Sequence, residues 1–544
     1  MLTQAAMPPE PDEPAAGARR GAHALAALLA LAALVWWGTH AWRERFLSDD
    51  AFISFRYAEH LAHGLGLVWN AGERVEGYTN FLWVLLMAAG MRLGLAPEGL
   101  SIALGLASGL ALLAVVFVAG GAGPLGRVRG GVLALLLAAH GSFAAWSTSG
   151  LETMLFTLLV WGATWRFLVE RREPARAPWV AALLFALAAL TRPEGPLFAG
   201  LAGLFLVCEC VRGRAELRRV LVFGLVFAVP VVAHVLWRRA YYGDWLPNTF
   251  RAKVPGTWFG QGAVYLGLYQ QHYRALFLVP FALLAFAGKR RSEAALVAAM
   301  LVAYLAYVLA VGGDRFEFRF LVVVLPHFTW LVVEGASALP GLAASPATRR
   351  ALAVASIAAL ALFLVLTLRG YRWEGGEVAD IQPIAGVRAY AERRVEEGEF
   401  LRACIERGEL PADVVLCVGG AGAVPYYTRW TTIDRRGLND ATIARLPMTE
   451  RGVIAHERDA PEDYLIARHV AVFDYVNRLV WTREQLEHAR TDREHDGKSL
   501  TPRLRAIRLG ESWLAFASFV PDAELATVFR GHEILTPDQL AKPR

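Results

Sequence analysis

Two adjacent carboxylates open the string Asp49-Asp50-Ala51-Phe52-Ile53-Ser54-Phe55-Arg56-Tyr57. Ser48 or Asp49 can cap a helix along which Phe52, Phe55 and Glu59 recur at helical spacing. Both acids then sit at a helix N-terminus, where the backbone dipole favours their ionised form. Such a carboxylate can take a proton from a sugar hydroxyl or hold a divalent cation. Plain helix capping accounts for one of the two. A second set of residues is cationic: Arg192 shares a turn with Glu194, Arg251 and Lys253 follow the loop Gly243-Asp244-Trp245-Leu246-Pro247-Asn248-Thr249, and Arg315 and Arg319 flank Gly312-Gly313-Asp314. These groups can bind phosphate through charge-assisted hydrogen bonds. The plainer alternatives are lipid-headgroup contacts and local ion pairs, such as Arg192 with Glu194 or Arg315 with Asp314 or Glu317. The sequence holds no zinc motif, Gly-Lys phosphate loop, dinucleotide fingerprint or Ser-His-Asp signature, which disfavours soluble nucleotide chemistry.

The elements that must position these residues are set by composition. Of 544 residues, 56% are hydrophobic and 19% charged, too apolar for an ordinary soluble enzyme. The net charge of +6 would suit a polyanion partner, but it is unevenly spread: residues 1–369 carry 31 Lys+Arg against 21 Asp+Glu, and residues 370–544 carry 24 against 28. A basic, apolar part with a mildly acidic tail describes a polytopic membrane protein with basic cytoplasmic loops, and argues against nucleic-acid binding. Apolar runs at 22–42, 100–120, 130–147, 151–169, 178–191, 195–211, 219–238, 275–288, 293–311, 319–337 and 350–368 predict eleven membrane helices. The run 80–96, interrupted by Gly90 and Arg92, is read as an interfacial or re-entrant helix, because the basic clusters then all fall inside. Those clusters are Arg19-Arg20, Arg127 and Arg129, Arg171, Arg172 and Arg176, the segment 212–219, the segment 289–291, and Arg349-Arg350.

The expected topology is an inner-membrane, multi-pass domain, 1–369, with a cytoplasmic N-terminal tail, 1–21, and a first outer loop, 43–99. A soluble extracytoplasmic α/β domain, 370–544, follows, with strands expected at 413–418, ending at 434, and at 469–473. All the chemistry-bearing segments then face outward. Cys404 and Cys417 could pair as a disulfide in an oxidising compartment, or be simply buried.

The ordered set Asp49 to Tyr57, Arg74-Val75-Glu76-Gly77-Tyr78-Thr79-Asn80, Thr191-Arg192-Pro193-Glu194-Gly195, 243–249 and Gly312-Gly313-Asp314 resembles the terminal β-(1,2)-arabinofuranosyltransferases of the mycobacterial cell wall, members of the GT-C superfamily of membrane glycosyltransferases. The resemblance covers nearly the whole chain, and extends to Gly419 to Gly422 and Asp434 to Asp440 in the tail. It implies a GT-C helical bundle and transfer of a sugar from a polyprenyl-phosphate donor to an envelope glycan or glycolipid acceptor at the outer leaflet. It assigns Asp49 or Asp50 as the catalytic carboxylate. Donor-phosphate and substrate contacts fall to Arg56, Glu76, Tyr78, Asn80, Arg192, Glu194, Asn248, Arg251, Lys253, Asp314 and Arg319. No nucleotide or redox cofactor is required, since a phosphate leaving group already drives the transfer; a divalent cation is compatible but not needed. The donor sugar stays open among arabinosyl, mannosyl and aminosugar groups. Two rival classes are a lipid-linked sugar transporter, which would place polar residues along a midplane path, and a non-catalytic envelope or motility assembly protein.

Overall fold

A computed structural model of the chain describes residues 16–173, 177–253, 256–369, 373, 375–448, 456–486, 503–536 and 539. Most of the expected N-terminal tail (1–15) and Arg176 lie outside them. The apolar part is helical throughout: α1 (Ala16–Arg43), α2 (Asp49–Ala62), α3 (Phe81–Arg92), α4 (Pro97–Ala119), α5 (Gly123–Ala138), α6 (Gly141–Trp146), α7 (Thr153–Arg171), α8 (Trp179–Thr191) and α9 (Gly195–Val211). There follow α10 (Leu217–Tyr242), α11 (Asn248–Lys253), α12 (Phe259–Tyr273), α13 (Val279–Leu284), α14 (Arg291–Val311), α15 (Arg319–Val322), α16 (Leu325–Ala338) and α17 (Pro346–Arg369).

Five of these, α1, α4, α10, α14 and α17, are long and apolar enough to cross a bilayer. Their outward faces are hydrocarbon: Leu28, Leu225 and Ile357 are 64%, 62% and 68% exposed, a surface that lipid covers. The chain is therefore a multi-pass membrane protein. The other expected spans are shorter, broken or more charged. The run 130–147 divides into α5 and α6, the run 319–337 into α15 and α16, and α7 carries Arg166, Glu170 and Arg171. α3 has 12 residues, about 18 Å of helix at 1.5 Å each, which falls well short of the hydrocarbon thickness. Inside the bundle α1 packs on α5, α7 on α4 and α8, and α16 on α5 and α13.

The tail folds as an α/β unit. After α18 (Ile384–Glu406) come β1 (Val415–Val418), α19 (Ala423–Thr428), β2 (Thr431–Asp434), α20 (Glu462–Ala467), β3 (Val472–Phe473), β4 (Val480–Trp481), β5 (Arg503–Leu509), β6 (Ser512–Ser518) and β7 (Ile534–Leu535). The sheet runs β2-β1-β3-β6-β5-β7, with β4 also on β6. β1 is parallel to β2 and β3, the three strands expected from sequence; the antiparallel β5–β6 hairpin extends the sheet. The cysteines correct the expected bridge. Cys404 and Cys417 are both free and buried, and they belong to different hydrophobic clusters, one under α18 and one beneath β1.

Candidate active site

α2 starts where the chain leaves α1, held by a hydrogen bond from Ser48 N–H to the Ser149 carbonyl (2.8 Å). From there the adjacent acids diverge. Asp49 is buried, and its Oδ1 accepts the backbone N–H of Ala423 (2.8 Å) at the first turn of α19. A Cβ on Gly422 would collide with the Asp49 carbonyl, so the close approach of tail to loop requires glycine there. Burial raises the Asp49 carboxyl to about 6, opposed by the nearby Arg394 cation. Asp50 is half-buried, and its carboxylate makes no hydrogen bond or ion pair among the described residues. It lies within electrostatic reach of Arg319.

Beneath it is a buried polar floor built from α2, the starts of α3 and α7, the α8–α9 turn and α14. Ser54 and Asn80 are hydrogen-bonded (3.0 Å), and Asn80 donates to Glu152 (2.9 Å) at the start of α7. Arg192, in the α8–α9 turn, donates to Glu152 (2.7 Å) and through Nε and Nη2 to Glu194 (3.2 and 3.0 Å); Tyr307 of α14 completes the chain to Glu194 (3.1 Å). Two carboxylates thus saturate the Arg192 fork. Arg319 differs: its Nε donates to Asp314 (2.6 Å), and its two terminal nitrogens make no hydrogen bond among the described residues. The rings of Phe316, Phe320 and Trp146 hold the guanidinium at 5.0, 5.6 and 5.8 Å. The turn that aims it contains Phe318 at φ 45°, a left-handed conformation that is strained for a bulky side chain.

Among the other residues expected to contact substrate, Arg56 and Asn248 hold the tail on the bundle and most of the rest pair within the bundle and its loops. Arg56 is buried and gives its donors to the carbonyls of Trp69 (2.9 Å), Pro425 (2.7 Å) and Trp430 (2.9 Å) and to Asn70 Oδ1 (3.2 Å). Asn248 donates to the carbonyls of Gly437 (2.8 Å) and Leu438 (2.9 Å). Glu76 pairs with Arg238 (2.6 Å), Tyr78 with Tyr242 (3.1 Å), and Arg251 with Asp244 (2.8 Å). Lys253 is exposed. Three of the ionisable residues within the bundle are also accounted for: Glu209 pairs with Arg171 (2.7 Å), while His234 and His327 lie against aromatic rings.

A second group lies at the seam between bundle and tail, where Arg315 and Lys253, already candidates, meet His456 and Arg436, which no local motif marks. Arg315 donates to Nε2 of His456 (2.7 Å), whose pKa is pushed down to about 2 by burial and then by the cations Arg315, Arg436 and Lys253. His456 is therefore a neutral acceptor ringed by three positive charges. Behind Asp49, the fully buried Arg394 pairs with Glu397 and Asp474, each at 2.7 Å. Only the long-range contacts of α18 reveal this pair. Among the described residues no three His, Cys, Asp or Glu side chains converge as a cation site.

The helical bundle capped by an α/β unit matches the crystal structure of ArnT from Cupriavidus metallidurans in the apo state, with a TM-score of 0.55 at 15% identity over 93% of this chain and 99% of that one. The chain shares that protein's fold. The same protein bound to undecaprenyl phosphate gives a TM-score of 0.52 at 14% identity, over 95% and 99% of the two chains. In sequence, the chain is 34% identical over 284 residues to a terminal beta-(1->2)-arabinofuranosyltransferase of Mycobacterium tuberculosis, covering 48% of this chain and 44% of the relative. It is 31% identical over 359 residues to the protein of the same name from Corynebacterium glutamicum, covering 57% and 50%. The chain thus spans about half the length of each relative. Residues 385–529 match a domain of unknown function (DUF8728), a span that runs from α18 past β6 and leaves out β7.

Proposed function

We propose that the protein is a membrane glycosyltransferase that moves a sugar, with arabinofuranose the first candidate, from a polyprenyl phosphate to an envelope glycan or glycolipid. The reaction is placed at the outer face of the cytoplasmic membrane, beneath the tail. The observation that carries this reading is that Asp50, whose carboxylate has no hydrogen-bond or ion-pair partner among the described residues, lies within electrostatic reach of an Arg319 guanidinium whose terminal nitrogens are likewise unbonded among them, above a floor in which Arg192 holds both Glu152 and Glu194. The names of the sequence relatives and the undecaprenyl phosphate bound by ArnT support the choice of donor class.

In this mechanism the acceptor hydroxyl oxygen attacks the anomeric carbon while the bond from that carbon to the phosphate oxygen breaks. Asp50 takes the hydroxyl proton, and Arg319 receives the charge developing on the departing polyprenyl phosphate. Asp49, with a carboxyl raised to about 6, has a basicity suited to the same task. Its oxygen is nevertheless occupied by Ala423 N–H and it is buried under the tail, which leaves it the work of docking. Arg192 and its two glutamates position α7, α8 and α14 around the floor. The cations about His456 offer a second place for phosphate or acceptor. The residues on hand need no metal for these steps. The test is turnover by the purified chain with a panel of polyprenyl-phosphate sugars and cell-wall acceptors: transfer from the arabinofuranosyl donor is expected, transfer from another sugar alone would replace the donor assignment, and none with any donor would overturn the reading.

A further inference from the structure

The far end of the bundle holds a cavity of about 600 Å³ that the proposed reaction does not use. Four arginines line it: Arg127 and Arg129 of α5, Arg172 just beyond α7, and Arg290 just before α14. Its distance from the tail follows from α4. Glu98 in the first turn of that helix hydrogen-bonds to Tyr427 of the tail (3.2 Å), whereas Phe117 and Val118, at the other end, line the cavity. Some twenty helical residues separate these points, about 30 Å, or one bilayer core.

Charge in the cavity is unbalanced. Glu293 pairs with Arg172 (2.6 Å) and Arg290 (2.6 Å), and Glu334 with Arg290 (2.7 Å) and, more loosely, Arg129 (3.9 Å). Among the described residues two carboxylates therefore serve three of the four guanidiniums. The fourth, Arg127, hydrogen-bonds there to Nδ1 of His23 (3.5 Å). Two buried nitrogens, Nη2 of Arg290 and Nε of Arg129, have no hydrogen-bond partner among the described residues, so the cluster carries uncompensated positive charge beside the cavity. Trp165 and Trp330 hold Arg290 in place, with its guanidinium 5.4 and 4.7 Å from their rings. The cavity also opens beside hydrocarbon surface: Val118 is 60% exposed on the membrane-spanning α4, and Leu125 nearby is 77% exposed.

We infer that this cavity binds a phosphate-bearing anion, namely the headgroup of an anionic phospholipid whose acyl chains lie along the Val118 face of α4. The phosphate offsets the excess positive charge in part and accepts from the guanidinium groups that line the cavity, while the chains cover apolar surface. A basic pocket between membrane helices is suited to such headgroups. Free phosphate offers the same polar contacts without the apolar ones.

The test measures the melting midpoint of the full chain in neutral detergent after addition of phosphatidylglycerol, phosphatidylcholine or inorganic phosphate. Phosphatidylglycerol is expected to raise the midpoint by about 2–4 °C at saturation, with phosphatidylcholine inert. The rise should vanish in R127Q/R129Q and persist in R127K/R129K. These substitutions leave the Glu293 and Glu334 pairs with Arg172 and Arg290 intact. R127Q alone, at a side chain hydrogen-bonded to His23 among the described residues, should halve the rise or more and covers a folding failure of the double variant. An equal rise with inorganic phosphate would assign the site to a free anion. An equal rise with phosphatidylcholine, or a rise unchanged in R127Q and R127Q/R129Q, would overturn the inference.

Discussion

Burial lifts the Glu317 carboxyl to about 7, relieved only by the backbone N–H of Ile384, which donates to it (2.8 Å). The fold thus prefers the protonated acid. Stability from this group is present at low pH and is lost as pH rises through about 7. Glu317→Gln keeps an acceptor for Ile384 and removes the titration, so its melting midpoint should exceed the parent's at pH 8, converge on it only below the ordinary glutamate value of 4.5, and vary less between the two. Arg319→Gln tests the phosphate role at the same scale: kcat should fall by about 10²-fold or more, the loss typical of a missing charge stabiliser. A fall confined to the apparent donor affinity would assign Arg319 to binding alone. The acid pair and these cations were legible in the sequence as types and positions. Their division of labour was not, because whether a carboxylate meets Ala423 N–H or open space depends on a segment more than 370 residues away.

At the scale of elements, the tail is fastened to the first loop by polar clamps that no local pattern announces. Arg56 on α2 reaches the carbonyls flanking α19 and β2, and Asn248 at the start of α11 reaches the turn after β2. Asn248→Ala would take the donor from the part-buried Leu438 carbonyl and leave the Gly437 carbonyl only the long bond from Asp440 N–H (3.4 Å), at a cost of about 1–3 kcal/mol, read as a lower midpoint and faster proteolysis of the tail with the bundle intact. Arg394→Met should be harsher, about 3–5 kcal/mol, since it strands the Glu397 and Asp474 carboxylates in the interior. The strands β1, β2 and β3 announce themselves by short apolar runs beside Gly and Asp. The β5–β6 hairpin is masked by arginines within β5; Arg505 is satisfied by Asp522 (2.6 Å), a contact visible only after folding.

For the whole molecule, the hydrocarbon surface of α1, α10 and α17 and the concentration of arginines at the end remote from the tail give the chain two unlike poles. The uneven charge of the sequence, basic before residue 370 and mildly acidic after it, already carried that polarity. The number of crossings was less legible, because interior helices such as α8 and α9 are apolar yet only 13 and 17 residues long. The proposed orientation, with the tail outside and α3 at the interface, predicts that a reporter fused at Glu98 reports the outer compartment; a cytoplasmic signal would contradict it. The central claim is that a sugar leaves a polyprenyl phosphate with Asp50 as proton acceptor. Its most direct measurement is the rate of transfer from polyprenyl-phosphate arabinofuranose by the full chain in lipid nanodiscs, compared across the parent, Asp50→Asn and Asp49→Asn. The account predicts that Asp50→Asn lowers the rate by about 10²–10⁴-fold at an unchanged melting midpoint, while Asp49→Asn retains far more activity at a shifted midpoint. Parent-like turnover in Asp50→Asn would contradict it.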